Sequence, residues 1–272
     1  MVSPAARRRV ADHLLQAGFS RVRSCRVAGL SRLASRRLQR PRNPELKEKV
    51  LELAKQHPRF GFRRIHLLLP GVNLKAVHRI WKEEGLRLNR RKRRRLKVAF
   101  QPRFELTAPN QAWCLDFCHD RLENGRRFRI LAVLDCFTRE LLLLKAASHF
   151  PASSVQRELE WLFLVHGKPQ RLVSDNGPEF RALNLPEGVE AAFIQPGSPW
   201  QNGHVESFFD KLRDELLSRE IFSSGAELQT HLDNHLEYYN HRRPHRSLQG
   251  LAPASFRNRT SNKIQEAKEL KL

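Results

Sequence analysis

Two acidic residues, Asp175 and Glu206, occupy positions from which the fold could bring their carboxylates together. Asp175 follows the short apolar run 171–173 and precedes the turn-forming residues 176–178, so its carboxylate is expected at a strand terminus. Glu206 follows a loop rich in Pro, Gly, Ser and Asn, and apolar residues at helical spacing continue beyond it. This pattern predicts that Glu206 lies in the first turn of a helix.

A third carboxylate lies upstream. Asp116 is the only charge in the strand-like run 113–118, and burying an unpaired carboxylate costs several kcal/mol. Three carboxylates on three elements, with no Cys/His quartet nearby, favour hard oxygen-liganded cations such as Mg²⁺ or Mn²⁺. Taken singly, each acid also fits a structural role: Asp175 in a turn, Glu206 at a helix N-terminus and Asp116 as a strand-edge charge.

The residues around these acids form a specific pattern. The three runs are Trp113-x-x-Asp116, Ser174-Asp175-Asn176-Gly177-x-Glu179-Phe180 and Pro199-x-Gln201-Asn202-Gly203-x-x-Glu206. Together they resemble the Asp, Asp, Glu pattern of retroviral-integrase-like transposases, and most closely the OrfB-type transposase of a large bacterial insertion-sequence family. The run Phe60-Gly61-Phe62-Arg63-Arg64-Ile65 and the C-terminal run Arg243-Pro244-His245-x-Ser247-Leu248-x-Gly250 are similar to the same family. The resemblance covers nearly all of residues 1–258.

The resemblance implies an enzyme that binds the terminal repeats of an insertion sequence and carries out metal-dependent DNA cleavage and strand transfer. It implies that Asp116, Asp175 and Glu206 are catalytic residues and ligands of two Mg²⁺ or Mn²⁺ ions, with Asp116 bridging both. The implied partners are double-stranded DNA, as element ends and target, and further copies of the chain on that DNA. An upstream-frame protein or fusion stays open as a partner.

Two other functions also stay open. One is a nuclease of the same fold, which would cut DNA without joining it. The other is a DNA-binding protein descended from a transposase that has lost catalysis. The predicted location is the bacterial cytoplasm, in association with DNA.

Charge is distributed unevenly along the chain. Residues 1–103 hold 29 of the 50 Lys and Arg but 6 of the 28 Asp and Glu, a net charge of +23. The remaining residues hold 21 and 22, a net charge of −1. This asymmetry predicts a polyanionic partner, and nucleic acid is favoured over a membrane because no apolar run approaches the ~20 residues needed to span a bilayer. No secretory signal is recognised.

Helical patterns fill the N-terminal half and predict a helix-turn-helix-like DNA-binding segment at 1–40, a second helical DNA-binding module at 44–86 and a basic linker at 87–106. Ser31 is the expected N-cap of a helix that carries Arg32, Arg36 and Arg37 and has the layout of a DNA-recognition helix. The alternative interpretation of these arginines is a basic face exposed to solvent. The predicted DNA-binding residues, including three nearer the C-terminus, are Arg32, Arg36, Arg37, Arg63, Arg64, Arg90, Arg91, Lys92, Arg93, Arg94, Arg95, Lys211, Arg213 and Arg243. His245 is a further candidate contact.

From residue 111 the periodicity changes to that of strands. Runs at 112–119, 127–135, 140–147, 171–174 and 189–194 read as strands, with a helix across 155–166. Three antiparallel strands followed by alternating helix and strand predict an α/β fold with a mixed five-stranded sheet. The resemblance makes this a ribonuclease-H-like catalytic core, at 107–222, preceded by all-α helix-turn-helix-type modules. A C-terminal helical extension at 223–258 and a polar tail at 259–272 complete the predicted domains.

Two features of the core complicate this reading. The stretch from Asn176 to Val205 contains 30 residues, fewer than is usual in the family. Family members usually form an amphipathic helix in this stretch, but residues 181–188 are too broken by Pro and Gly to form one. One face of the sheet could therefore be poorly covered, unless the chain compensates. The four cysteines fit small core residues, and a metal site built from Cys114, Cys118 and His119 is the alternative.

Overall fold

The computed structural model describes residues 4–36, 43–86, 106–194 and 202–269. It divides into two compact units, Met1–Lys49 and Val50–Leu272. Among the described residues, no helix is long and apolar enough to cross a membrane. The predicted basic linker lies largely outside the described residues, so the domain boundaries stay predictions.

The N-terminal unit contains three short helices, α1 (Pro4–Gln16), α2 (Arg21–Val27) and α3 (Arg32–Arg36). The Ser31 hydroxyl accepts a hydrogen bond from the backbone N–H of Ala34 at 3.1 Å, which is the predicted capping contact. Glycines with positive φ separate the helices because the left-handed conformation ends each one without a Cβ clash. The small interior of this unit includes Ala11, Cys25 and Ala28.

A second group of helices begins with α4 (Pro44–Gln56), in which the division between the units falls, and continues with α5 (Phe62–Leu67) and α6 (Leu74–Glu83). Asn73 caps α6, since its side chain accepts from the N–H of Lys75 at 2.8 Å. The apolar stripes of these helices meet in a small core of Val50, Phe60, Ile65, Leu69, Val77, Ile80 and Trp81.

The central element of the larger unit is one sheet of five strands: β1 (Ala112–Arg121), β2 (Arg127–Asp135), β3 (Leu141–Ala147), β4 (Arg171–Ser174) and β5 (Glu190–Phe193). Their order across the sheet is β3-β2-β1-β4-β5. β1 pairs antiparallel with β2 and parallel with β4, whereas β2 and β3 are antiparallel and β4 and β5 are parallel. The prediction of a mixed five-stranded α/β core preceded by helices is confirmed.

Helices cover both faces of the sheet. α7 (Ala152–His166) and the short α8 (Pro178–Arg181) lie on the face that carries Trp113 and Leu115. The opposite face carries Cys114 and Cys118 and packs against the C-terminal helices. These are α9 (Gly203–Leu212), a π-helical turn (Arg213–Leu217) and α10 (Gly225–His241), followed by a 3₁₀ turn (Arg246–Leu248) and α11 (Pro253–Glu269).

The shortened connection after Asp175 covers its face of the sheet without a long helix. Beyond α8, Leu183, Leu185 and Val189 pack against the core of that face. The side-chain amide of Gln156, on α7, accepts from the N–H of Asn184 and donates to its carbonyl, both at 3.0 Å. The chain therefore compensates for the missing helix with an irregular segment that α7 holds in place.

Candidate active site

Asp116 lies on β1, the strand between β2 and β4, on the face that packs against α9. Its carboxylate is partly buried and accepts a hydrogen bond from the N–H of Phe117 at 2.7 Å. Burial, reinforced by the charges of Asp175 and Glu206, raises the pKa of Asp116 to about 6, although that hydrogen bond and Arg129 act in the opposite direction. The Asp116 carboxylate is therefore within electrostatic reach of the other two predicted acids.

Asp175 directly follows β4, as the turn residues predict. Because Cys114 is in register with Val173 on parallel strands, continuing both strands by two residues brings Asp116 beside Asp175. The Asp175 carboxylate accepts from the N–H of Gly177 at 3.0 Å. A Cβ at Gly177 would lie 3.0 Å from that carboxylate and 2.9 Å from the carboxylate of Glu179, so a larger residue would force both acidic side chains to shift.

Glu206 lies in the first turn of α9, as predicted, and its side chain is exposed. Although exposed, the Glu206 carboxylate loses some hydration to nearby protein atoms, and this desolvation, with the charge of Asp210, raises its pKa. The helix is fixed by its apolar face, since Val205, Phe208 and Leu212 are each at most 1 % exposed. The three predicted acids thus come from three elements: Asp116 from the middle of β1, Asp175 from the end of β4 and Glu206 from the first turn of α9.

The structure also shows a contact that joins two of these elements. Asn202 precedes α9, is 2 % exposed, and donates from its side-chain amide to the carbonyl of Leu115, the residue before Asp116, at 3.3 Å. Its side-chain oxygen is buried and has no hydrogen-bond partner among the described residues. Asn202 therefore ties the start of the Glu206 helix to the strand of Asp116.

A second link was not predicted either. Arg129 on β2 forms an ion pair with Glu179, and its guanidinium lies 3.8 Å from the centre of the Phe117 ring. Burial would raise the pKa of Glu179, but its backbone N–H and Arg129 outweigh that effect and hold this pKa below its ordinary value. The pair anchors the turn that carries Asp175 to the middle of the sheet.

The three acids fit a divalent cation by their chemistry. Carboxylate oxygens are the ligands that Mg²⁺ and Mn²⁺ prefer, and a cation would offset both the burial and the neighbouring charges that raise the pKa of Asp116. Within the described ranges, however, no three or more His, Cys, Asp or Glu side chains are grouped closely enough to hold a metal ion. The acids are thus assembled in one region, with a wider spacing than a ligand set.

The cysteine alternative finds no support. All four cysteines are buried. A hydrogen bond with Cys136, together with burial, raises the pKa of Cys114, and burial raises that of Cys118. His119 points away to solvent, so the three residues do not form a ligand set. The cysteines act as small apolar core residues.

Lys211 and Arg213 follow Glu206 on the same helical segment. The Lys211 ammonium donates to the carbonyl and hydroxyl of Ser207, at 2.9 and 2.6 Å. Burial, followed by the nearby positive charges of Arg243 and Arg64, lowers the pKa of Lys211 to about 8. Arg213 is exposed. Both side chains lie within two turns of Glu206 along that segment.

The prediction of a DNA contact at Arg243 is wrong. Arg243 is 1 % exposed, and its guanidinium donates two hydrogen bonds to Glu215, at 2.7 and 2.6 Å. Arg64 is partly buried and pairs with the same carboxylate at 3.4 Å. His245 is also buried, and burial with the charge of Arg243 lowers its pKa to about 2. Arg243 and Arg64 form an ionic cluster around Glu215, and the neutral His245 ring lies 3.3 Å from the Arg243 guanidinium.

The other predicted DNA-binding residues are distributed as follows. Arg32 and Arg63 are exposed, and Arg36 lies on α3. Arg37 and the run from Arg90 to Arg95 lie outside the described residues. Their contacts with DNA stay predictions.

Comparison with known proteins gives consistent matches. The integrase core domain family matches residues 107–199 and, in a second model, 187–253. The chain is 38 % identical to a 39.2 kDa protein of insertion element IS476 from Xanthomonas euvesicatoria, over 92 % of this chain and 75 % of that protein. It is 35 % identical to a 31.7 kDa protein of insertion element IS407 from Burkholderia multivorans, over 88 % and 90 %. It is 28 % identical to transposase InsD of insertion element IS2 from Escherichia coli, over 79 % of each.

Proposed function

The chain belongs to the OrfB-type insertion-sequence transposases with an integrase core domain, and from this premise we propose that Asp116, Asp175 and Glu206 are its catalytic carboxylates. The enzyme is a transposase of the Asp-Asp-Glu type. The observation that supports the assignment most strongly is the geometry: Asp175 follows the strand parallel to β1 and lies beside Asp116, and Asn202 ties the start of the Glu206 helix to β1. Burial and the charges of Asp175 and Glu206 raise the pKa of Asp116, as in many functional sites.

We further propose that the three acids hold two Mg²⁺ or Mn²⁺ ions. Such ions neutralise phosphate charge and activate an oxygen nucleophile for phosphodiester transfer. In this chain, Asp116 would be the ligand shared by both ions, as the resemblance implies, and the charges of both other acids act on its carboxylate. Asn202 and the Arg129–Glu179 pair would keep the other two acids in position. Closure of the acids around the ions is part of this proposal.

The DNA substrate is double-stranded, as element ends and target, and several copies of the chain act together on it in this proposal. Lys211 and Arg213 would contact the backbone of the end being cut, since they lie just beyond Glu206 on the same segment. Arg32, Arg36, Arg37, Arg63 and the run 90–95 would bind DNA through its phosphates. An upstream-frame fusion and a bacterial cytoplasmic location complete the proposal.

A catalytically decayed protein remains the second candidate, because the acids are not spaced as a ligand set in the described residues. Strand transfer from a labelled element end, with Mg²⁺ or Mn²⁺, separates the two. The parent should cut and join, whereas Asp116→Asn, Asp175→Asn and Glu206→Gln should each do neither and still bind the end. Asp120→Asn, on the same strand as Asp116, is the matched control and should remain active.

Three outcomes would contradict the proposal in different ways. An inactive parent that binds element ends would identify a decayed enzyme. A parent that cuts without joining would identify a nuclease. Full activity in any of the three carboxylate variants would remove that residue from the catalytic set.

A further inference from the structure

A groove of about 940 Å³ lies in the larger unit between the helices α5 and α6 and the turn that follows α10. Residues from two distant parts of the sequence therefore line it together. The lining residues that matter here are Phe62, Arg63, Leu67, Leu74, Lys82 and Arg246. We call this surface the composite groove.

The two walls of the composite groove are locked together. Gly250 has φ of +87°, and a Cβ there would lie 2.9 Å from a methyl carbon of Leu67, so the C-terminal turn sits directly on α5. Below this contact, the Glu215 carboxylate pairs with both Arg64 and Arg243. The two walls are therefore held at a fixed separation before any ligand binds.

The floor of the composite groove is apolar. Leu67 is 45 % exposed and Leu74 is 39 % exposed, which is a large exposure for leucine in a folded domain. Phe62 is half-buried, and its ring lies 4.4 Å from the ring of His78. The floor therefore offers one aromatic ring and two leucine side chains to a ligand in the groove.

The rim of the composite groove is basic. Arg63, Lys82 and Arg246 are exposed, and no Asp or Glu is among the described residues that line the groove. Within the described part of the chain, none of the three forms an ion pair with a carboxylate. The Arg63 guanidinium lies 5.8 Å from the centre of the Phe62 ring. The groove thus combines positive charge at its edges with a ring and aliphatic side chains at its base.

We propose that the composite groove binds unpaired nucleotides of the DNA substrate, an inference that rests on the proposed function. Cations alone would suit the phosphates of an intact duplex, whose bases are stacked inside and cannot reach the groove floor. An apolar floor with a basic rim instead matches a strand whose bases are free to stack while its phosphates meet the cations. Single-stranded DNA beside a cut or frayed element end has this chemistry.

The test is direct binding, measured by fluorescence anisotropy in the presence of a chelator so that no cleavage occurs. The probes are a blunt duplex, the same duplex with a short single-stranded overhang, and the overhang duplex with RNA in place of the unpaired DNA. The parent should bind the DNA overhang more tightly than the blunt duplex and at least as tightly as the RNA overhang. Equal affinity for the DNA overhang and the blunt duplex, or a preference for RNA, would overturn the proposal.

Substitutions at Phe62 separate stacking from packing. Phe62→Leu should weaken overhang binding by about 5-fold to 150-fold, the range for loss of one stacked base, and leave blunt-duplex binding unchanged. Phe62→Tyr keeps a ring and should bind overhang DNA like the parent. Equal weakening on both duplexes by Phe62→Leu, or equal effects of Leu and Tyr, would show that Phe62 serves only the fold.

The rim is tested by salt dependence. Replacing Arg63, Lys82 and Arg246 together by Gln should flatten the slope of log K against log salt by about 2 for overhang DNA. Arg157→Gln, an exposed cation on α7 at the opposite face of the sheet, is the control and should leave the slope unchanged. An unchanged slope in the triple variant would overturn the proposal. These assays measure binding without catalysis. The proposed catalytic function can therefore fail while overhang binding is observed, and overhang binding can be absent from a catalytically active protein.

Discussion

Two of the three predicted site carboxylates come from regions that are built differently: Glu206 from the α9 side (residues 202–217) and Asp175 from the β4–β5 edge (residues 171–194). On the α9 side, Glu206 belongs to a helix whose apolar face is buried, with Leu212 0 % exposed. On the β4–β5 edge, most of β5 is exposed, including Phe193 at 40 %. There, Asp175 is held mainly by polar contacts, such as Asn176 donating to the Ile194 carbonyl at 3.0 Å. The carboxylate of Glu206 is thus positioned mainly by apolar packing, and the carboxylate of Asp175 mainly by hydrogen bonds.

The largest expected effect is the loss of activity on neutralising either aspartate, with different consequences for stability. Strand transfer should fall by about 10³-fold or more for Asp116→Asn and for Asp175→Asn, since each removes charge from the site. The pKa of Asp116 is raised to about 6 in the folded protein, so the folded state holds this proton more tightly than the unfolded chain does. The contribution of Asp116 to the free energy of unfolding should therefore fall as pH rises from about 4 to 6, by at most about 3 kcal/mol.

Denaturant unfolding with a chelator at pH 4 and pH 7.5 measures this difference. Asp116→Asn removes the penalty and should be more stable than the parent at pH 7.5 but equal to it at pH 4. Asp175→Asn keeps an oxygen that can accept from Gly177 but removes a charge that repels Asp116, so it should match the parent at pH 4 and be slightly more stable at pH 7.5. A parent and an Asp116→Asn variant of equal stability at pH 7.5 would show that Asp116 carries no such penalty.

The next largest effect concerns two Arg–Glu pairs, one in each region. Arg243→Met leaves the Glu215 carboxylate, 10 % exposed, without its main partner, and should lower the free energy of unfolding by about 3–5 kcal/mol. Arg171→Met breaks the Arg171–Glu190 pair between β4 and β5, whose side chains are 32 % and 62 % exposed, and should cost about 0–1 kcal/mol. Urea unfolding of both variants tests the contrast, and similar losses would refute it.

A smaller effect is expected at the contact between Asn202 and Leu115. Asn202→Ala removes the hydrogen bond that sets the start of α9 against β1, so Glu206 should shift relative to Asp116. A small displacement of a catalytic group can cost up to about 100-fold in rate. Single-turnover strand transfer should fall by about 10-fold to 100-fold while binding to element ends is retained.

Asn124→Ala provides the control for this prediction. It also removes a single side-chain hydrogen bond, to the N–H of Arg126 in the β1–β2 turn, and should leave strand transfer near the parent value. Parent-like activity in Asn202→Ala would indicate that packing alone positions α9.

The smallest effect is expected where α7 holds the shortened connection. Gln156→Ala removes both hydrogen bonds to Asn184 and should lower stability by about 1 kcal/mol, with faster amide exchange confined to residues 178–189. Gln229→Ala removes a similar pair of bonds, to Ala146 and Leu144 beside β3, and should leave exchange in 178–189 unchanged. Exchange that rises across the whole sheet in Gln156→Ala would contradict a local role.

The sequence predicted local features well because they depend on neighbouring residues. Alternating apolar residues located the strands to within two residues, and the turn after β4 placed Asp175 correctly. The links between elements could not be predicted in this way. Arg129 and Glu179 are 50 residues apart, and Asn202 and Leu115 are 87 apart, so no local pattern connects them. The motif predicts a DNA contact for Arg243 although this residue is buried, because sequence alone does not distinguish a buried charged residue from an exposed one.

The two neighbours of β1 have a consequence for how the enzyme is made. β2 joins β1 through a short turn, so the β1–β2–β3 meander involves contacts between residues close in sequence. β4 joins β1 in parallel after α7, with Ala112 beside Arg171, nearly 60 residues later. Contacts that close long loops form more slowly than local ones, and domains complete their folding as the chain emerges during synthesis. The acidic residues consequently meet late, and under the proposed function a nascent chain that has folded its meander has no complete catalytic site until β4 and α9 have been added.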